Sequence, residues 1–472
     1  MQKQNYSIYS AGKFITTNHV LEIHNPFNQS LVATTYLADK FVLEEAIIKA
    51  LSVRAELQNL SSQKKYNILK QISNEIYANR KKLAEVLSLE SAKPLKYALA
   101  EIDRSAYTFS IAAEESRKDR TEHLALDRIL QTDKRNGIVD YFPIGLIAGI
   151  APFNFPMNLA VHKLAPAIAS GCPIILKPAS RTPLSCLELA KIIDRTELPK
   201  GLVSILPMDR TTGNLLVTDE RFKLLSFTGS PDIGWKMKAQ SGKKKVVLEL
   251  GGNAATIITK SADLKDALPK SLMGAFAYSG QICIHAQRFM VHSSLYQSFV
   301  DELNALTQNL ISGNPLETAT DISNMIDEAN AVRVENWIKE AIEQGAQLIC
   351  GGKRHGSYVE PTILTNCNHT MKVYAEEVFG PVICINSFET IEDAIHQANN
   401  TKFGLQCGVF TNDNIELEKC FKQIEVGGVI HNNVPTIRYD QMPYGGVKES
   451  GLGREGVRYA ILDMLEPKIL VR

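Results

Sequence analysis

No C-x-x-C pair occurs among the eight cysteines, and no His-x-x-x-His accompanies them. This excludes the common zinc modules and a dithiol redox motif, so no metal is expected, and scattered thiols in a long chain suit a reducing compartment. Charge of one sign is also missing. The 52 Lys and Arg against 51 Asp and Glu leave +1, so no global field draws in nucleic acid or an acidic membrane. The opening Met-Gln-Lys-Gln-Asn-Tyr-Ser has no apolar signal-peptide core, and a cytoplasmic protein is expected. Unbroken apolar runs are absent too. The one uncharged stretch of membrane-spanning length, 141–162, is interrupted by Pro143, Pro152, Pro156, Asn154 and Asn158, which suits buried strands and turns.

What is present is an ordinary globular composition, 44% hydrophobic and 22% charged, over 472 residues, enough for two or three domains. The first quarter reads as helices, with apolar residues at three- and four-residue spacing over 39–58, 62–79, 81–91 and 97–118. Residues 124–131 and 137–142 alternate like strands around a turn at Asp133–Gly137, a hairpin pattern. From 144 onward strand-like runs (144–150, 173–176, 202–206, 224–227, 245–250) alternate with helical ones. A second such series spans about 254–430, with strands near 255–258, 287–292, 347–350 and 382–388, and an apolar strand follows at 464–471. Repeated βα units predict an α/β fold with two doubly wound parallel sheets, hinged at Gly251-Gly252.

Four segments carry candidate chemistry. In Ser279-Gly280-Gln281-Ile282-Cys283, a glycine beside a cysteine allows close backbone approach to a nucleophilic thiol; an inert buried thiol fits the same residues. Glu249 ends an apolar strand just before Gly251-Gly252, where desolvation lifts a carboxyl toward general-base duty; a capping or ion-paired glutamate is the alternative. Asn154, between Phe153 and Phe155 and flanked by Pro152 and Pro156, is either a rigid amide donor for an oxyanion or a turn residue. Phe227-Thr228-Gly229-Ser230 leads from a strand into a helix whose free N–H groups suit a pyrophosphate, although it lacks G-x-G-x-x-G.

These segments, together with Lys177-Pro178-Ala179, Glu376-Glu377-Val378-Phe379-Gly380-Pro381 and Pro443–Lys448 followed by Gly453-Arg454-Glu455, closely resemble the aldehyde dehydrogenases in order and spacing. The resemblance implies that Cys283 attacks an aldehyde to give a thiohemiacetal whose oxyanion rests on Asn154 and the Cys283 N–H. Hydride transfer then leaves a thioester, and Glu249 activates the water that releases the acid, with Lys163 and Glu455 relaying protons. It also implies a cofactor held by Gly229 and Ser230 (pyrophosphate), Lys177 (adenosine ribose), Glu377 (nicotinamide ribose) and Phe379 (nicotinamide). By the same resemblance, 1–120 with 143–250 form a dinucleotide-binding domain, 251–440 a catalytic domain, and 121–142 with 456–472 a small β element for oligomerisation.

Two departures bear on specificity. Where many NAD-preferring relatives carry a ribose-binding Glu, this chain has Ser180, and Asp209-Arg210 stands near the next expected turn. Arg210 suits a 2′-phosphate and Asp209 a ribose, so the cofactor is NAD or NADP. Where relatives line the substrate tunnel with aromatics, this chain has His162 and Arg438, and Arg104 faces the same region. Together they favour a small hydroxylated or anionic aldehyde, as in the lactaldehyde and semialdehyde dehydrogenase subgroup, because guanidinium binds carboxylate bidentately. Ile282 before the cysteine speaks against the glyceraldehyde-3-phosphate type, where Arg is common. The carboxylate at 249 speaks against a CoA-acylating enzyme, and the joint presence of thiol and base speaks against a non-catalytic structural protein of the same fold. Unpartnered apolar strands at 124–142 and 464–471 imply a homodimer or homotetramer.

Overall fold

A computed structural model of the chain describes residues 4–126 and 135–472. Its centre is an eight-stranded sheet ordered Gly451–Leu452, Lys245–Glu249, Phe222–Thr228, Leu146–Ile150, Ile174–Lys177, Val203–Ile205, Ile8–Ser10, Lys13–Ile15. The five inner strands from Lys245–Glu249 to Val203–Ile205 run parallel, and antiparallel strands close both edges. These parallel strands are nearly continuous apolar runs because helices cover both faces. One of those helices, Asn158–Ser170, is buried along its whole length.

A second sheet has seven strands in the order Gln347–Cys350, Thr362–Thr365, Val382–Phe388, Arg288–His292, Ala255–Ile258, Gln406–Phe410, Gly428–His431. All pair in parallel except the first. Each sheet packs its own apolar clusters, and Gly251-Gly252 runs between them. The glycines that follow Lys245–Glu249 lie against the loop holding Cys283, where a Cβ at Gly252 would come 3.0 Å from the Cys283 carbonyl, at the carboxyl end of the strand where ligands bind in open α/β sheets.

A third, antiparallel sheet stands apart: Leu465–Val471, Asn136–Pro143 and Glu122–Ala125. It leaves Leu124, Phe142, Ile469, Leu470 and Val471 exposed. Residues 127–131 of the expected strand 124–131, and 133 and 134 of the expected turn at Asp133–Gly137, lie outside the described residues.

The helices of the first quarter form close to the expected limits, as Lys40–Ser52, Arg54–Gln58, Ser62–Ala78, Arg80–Ser91 and Leu95–Glu115. The expectation of helix does not extend to the residues before them. Ile8–Ser10 and Lys13–Ile15 finish one edge of the main sheet, and Val20–His24 pairs with Leu31–Tyr36 in a separate small sheet. Ile8–Ser10 is three buried residues, too short a run to show a period, and the other three strands are only partly buried, so their side chains show little of the alternation that marks a strand.

Among the described residues no helix is long and apolar enough to cross a membrane, and no group of three His, Cys, Asp or Glu side chains comes together to hold a metal ion.

Candidate active site

Cys283 follows a single tight turn, Ala277–Gly280, whose last three residues all take positive φ: Tyr278 (48°), Ser279 (53°) and Gly280 (67°). Two successive non-glycine residues in that region are costly, so the surroundings must impose the conformation. They do so on three sides. The Tyr278 hydroxyl donates to Ser91 O (3.2 Å), the Ser279 hydroxyl to Ser323 O (2.6 Å), and the Ile326 N–H to Gln281 Oε1 (2.9 Å). At Gly280 a Cβ would sit 2.1 Å from the Gly380 carbonyl, so no larger residue fits. The turn delivers the Cys283 Sγ to 3.1 Å from the Tyr444 hydroxyl. Burial pushes the thiol up to about 11, against the opposing pull of that hydrogen bond. At neutral pH it rests as a thiol and needs a base.

The Asn154 amide is buried and donates to Gln281 O (2.9 Å), two residues before the thiol. That bond uses one amide hydrogen and leaves the second. Beside it, the Lys93 ammonium lies 3.6 Å from the Phe155 ring centre and 4.4 Å from that of Tyr278. Lys93 is paired to Glu101, which also accepts from Met157 N (3.0 Å) and Asn158 N (3.1 Å) at the start of the Asn158–Ser170 helix. The loop of Asn154 and the turn of Cys283 thus share one buried support.

Glu249 is buried at the end of its strand. Its Oε1 accepts the Glu455 N–H at 3.3 Å, while its Oε2 has no partner. Burial, reinforced by the Glu455 charge, holds its carboxyl well above the usual range. Glu455 behaves oppositely. Burial would raise it, but Lys163 and Arg438 outweigh that and bring it to about 2. Its two oxygens accept from Lys163 Nζ (3.1 Å) and Arg438 Nη2 (3.0 Å). Lys163 also donates to Ser226 Oγ (3.1 Å) and Thr228 Oγ1 (2.8 Å), tying the helix to the strand next to that of Glu249. Two neighbouring carboxyls whose environments drive them apart make an acid–base pair.

The expected substrate residues are all near this network, and each is already engaged. Arg438 stacks on Tyr444 (3.8 Å to the ring centre) and spends Nη2 on Glu455, while its Nε is buried without a partner. Arg104 gives Nε and Nη2 to the two oxygens of Asp440 (3.2 and 2.6 Å). His162 Nε2 meets the same carboxylate at 2.8 Å, and its Nδ1 is unpartnered. Neither Asp440 nor Tyr444 stands out as a functional residue in the sequence. Tyr444 lies inside a recognisable segment, but only the fold brings it to the thiol. Asp440 carries no sequence signal, since its partners lie 336 and 278 residues away.

Of the expected cofactor residues, Lys177, Gly229, Ser230 and Arg210 sit at or just beyond the carboxyl ends of strands of the eight-stranded sheet, while Glu377 and Phe379 lie on the segment before Val382–Phe388 of the other. Ser230 caps the helix Pro231–Gln240 with no side-chain bond, leaving the helix's first N–H groups as donors for an anion. Lys177 runs along Gly213 of the helix Arg210–Thr218, and its half-buried ammonium has no hydrogen-bond partner among the described residues. Asp209 caps that helix through Thr212 N (2.7 Å), and Arg210 projects into solvent as its first residue. Ser180 lies instead on the wall of a separate cavity of about 590 Å³ that reaches Leu21–Phe27 and Asp327. Glu377 accepts the Gly252 N–H (3.1 Å), and a Cβ at Gly251 would come within 2.0 Å of its carboxylate. Burial lifts Glu377 to about 7. Phe379, at φ 47°, packs edge-on against Phe153. A helix end without a side-chain cap, the Lys177 ammonium and a carboxylate between the two sheets are groups of the kind that can hold a dinucleotide.

A family model described as the aldehyde dehydrogenase family matches residues 14–470. The chain is 39% identical to a 3-sulfolactaldehyde dehydrogenase of Priestia aryabhattai, over 100% of this chain and 98% of that one. It is 38% identical to a lactaldehyde dehydrogenase of Methanococcus aeolicus, covering 96% and 97%. Among solved structures, aldehyde dehydrogenase 21 of Physcomitrella patens, in complex with the reaction product succinate, superposes with a TM-score of 0.98 at 41% identity, covering 100% and 99%.

Proposed function

Because this chain belongs to the aldehyde dehydrogenase family, a family of NAD(P)-dependent oxidoreductases, we propose that it converts a small anionic aldehyde to its carboxylic acid on Cys283. Cys283 Sγ forms a bond to the aldehyde carbon, and the carbonyl oxygen becomes an oxyanion received by the spare Asn154 hydrogen and the Cys283 N–H. The Cys283 thiol, partly exposed, gives up its proton to solvent, and Glu249, raised in pKa and with one oxygen free, takes the proton of the water that attacks the thioester. The nicotinamide dinucleotide, when bound, supplies the hydride acceptor. Loss of hydride from the adduct leaves a thioester, and water then breaks the C–S bond to give acid and thiol. Lys163 and Glu455 hold the charge balance behind the base. A dinucleotide would be held by Gly229, Ser230, Lys177 and Glu377, with Phe379 against the nicotinamide, Arg210 on the adenosine side and the eight-stranded sheet as its domain. The seven-stranded sheet carries the nucleophile.

The observation that carries the substrate class is a buried guanidinium with a spare donor. Arg438 stacks on Tyr444, the partner of the Cys283 thiol, spends Nη2 on Glu455 and retains a buried, unused Nε–H. An anionic group on the substrate would take that donor. The relatives named for sulfolactaldehyde and crystallised with succinate support the same reading. The test is a panel of 3-sulfolactaldehyde, succinic semialdehyde, lactaldehyde, propanal and glyceraldehyde 3-phosphate, assayed with NAD and NADP, with and without CoA. Anionic three- and four-carbon aldehydes are expected to lead by tenfold or so in kcat/KM, with free acid as product; equal use of propanal, or formation of an acyl-CoA, refutes the proposal.

We further propose that the exposed apolar sheet of Glu122–Ala125, Asn136–Pro143 and Leu465–Val471 joins subunits into a homodimer or homotetramer. An active monomer in light scattering at micromolar concentration refutes it.

A further inference from the structure

Three buried side-chain atoms without a partner belong to the one charge network: Glu249 Oε2, Arg438 Nε and His162 Nδ1. The reaction uses the first for water and the substrate's anion uses the second. Nothing so far uses the third. His162 is fully buried, so solvent does not satisfy it either. An unpaired buried polar atom in an otherwise bonded network marks the place of a ligand group.

Its chemistry follows from Asp440. That carboxylate already accepts two hydrogen bonds from Arg104, and the His162 contact together with the Arg104 guanidinium keeps it ionised and acceptor-only. The 2.8 Å contact to His162 Nε2 therefore requires the hydrogen on Nε2. Burial and the facing Arg438 keep the ring from taking a second proton. With Nε2 protonated and the ring neutral, Nδ1 is a lone pair. It accepts and cannot donate.

Resting on the reading of this chain as an oxidiser of small anionic aldehydes, we propose that Asp440 is a positioning residue that fixes His162 as an acceptor, and that Nδ1 takes the hydrogen of a hydroxyl on the carbon next to the aldehyde. The site then selects 2-hydroxyaldehydes over two kinds of analogue. A deoxy substrate leaves Nδ1 unpaired. A 2-oxo substrate brings a second acceptor against it. Arg438 reads the far end of the substrate and His162 the middle.

The experiment compares kcat/KM within sets of equal length. Lactaldehyde, propanal and 2-oxopropanal carry no anion, so they test the hydroxyl contact separately from the anionic reading; 3-sulfolactaldehyde and 3-sulfopropanal repeat the test with an anion present. The wild type is expected to favour the hydroxyl over the deoxy compound by about 10–100-fold in both sets, the scale for a buried polar group left unpaired. Asp440→Asn offers His162 Nε2 either a donor or an acceptor, freeing the ring tautomer. Its preference for lactaldehyde over 2-oxopropanal should fall at least tenfold relative to wild type. His162→Phe keeps the volume and removes the acceptor, and should bring the hydroxyl-to-deoxy ratio close to one. A merely structural role for either residue lowers all substrates together and leaves the ratios unmoved, which overturns the proposal. So does a wild-type ratio near one. A hydroxyl preference that survives while anionic and neutral sets are used equally well sinks the anionic reading and upholds this one.

Discussion

Two buried ionic clusters meet the same helix, Asn158–Ser170, and are built differently. In the first, Lys93 is matched to Glu101 and two aromatic faces, and Glu101 spends its other oxygen on two N–H groups. Every strong valence is used. In the second, hydrogen bonds join Lys163, Arg438, Glu455 and Glu249, the His162–Asp440 pair lies within the field of Arg438, and an oxygen, an N–H and a ring nitrogen stay without a partner among the described residues. Both clusters lie in the same protein interior. A saturated buried pair holds elements together, whereas an unsaturated one leaves room for substrate and water.

The sharpest break between them comes from chemistry without loss of fold. Cys283→Ala should reduce aldehyde oxidation below about one per cent while cofactor binding persists, since the thiol forms the covalent bond and anchors no dinucleotide. Glu249→Gln should retain a burst of NAD(P)H near one per site ahead of a much slower steady state. Melting temperatures of both should stay near wild type, because neither residue completes the saturated cluster. Equal loss of burst and steady state in Glu249→Gln would place the base before hydride transfer.

Lys93→Met attacks the other cluster and should act on stability. It strands the Glu101 carboxylate in the core, a change worth about 3–5 kcal/mol, and denaturant melts should register it. Lys93→Met with Glu101→Gln should recover much of the loss, because the uncompensated charge is gone and the amide oxygen still accepts at the helix start. If the double variant is no better than the single, packing of Lys93 between Phe155 and Tyr278 outweighs its charge.

Arg438→Leu separates substrate reading from scaffold within the second cluster. Loss of a desolvated, charge-assisted contact should cost roughly 2–5 kcal/mol in kcat/KM for succinic semialdehyde and much less for propanal. A uniform drop would mean that Arg438 serves Glu455 and Tyr444 alone.

The smallest effect concerns Glu377. Its carboxyl, lifted by burial to about 7, is protonated below that pH and ionised above it. The ionised form accepts stronger hydrogen bonds from ribose hydroxyls, so cofactor affinity should improve a few-fold from pH 6 to pH 8. Glu377→Gln should flatten that dependence in a binding titration. A wild-type affinity that falls over the same range would contradict the assignment.

The sequence displays more of this molecule than of its site. Strands such as Leu146–Ile150 and Ala255–Ile258 are legible because they are buried on both faces and read as unbroken apolar runs between helices. The segments around Cys283, Glu249 and Asn154 are legible because a reactive residue beside Gly or Pro is unusual. Val20–His24 and Leu31–Tyr36 are not, since partial burial blurs their alternation. Arg104 and His162 stand out as polar residues, yet periodicity cannot say that one carboxylate, Asp440, will hold both. Long-range pairing of that kind leaves no local pattern.

The antiparallel edge strand Gly451–Leu452, laid on Lys245–Glu249, has a consequence for how the protein is made. Glu249 leaves the ribosome 206 residues before Glu455, the group that completes its surroundings. Until the later segment arrives, the edge of the parallel sheet is open, the Cys283 thiol lacks Tyr444, and Glu249 lacks its neighbour. The parallel strands can assemble during synthesis, but the thiol and the base acquire their tuned environments only when the last edge is laid down. A nascent chain therefore carries a sheet before it carries a reactive centre, which keeps the nucleophile idle while the chain is still folding.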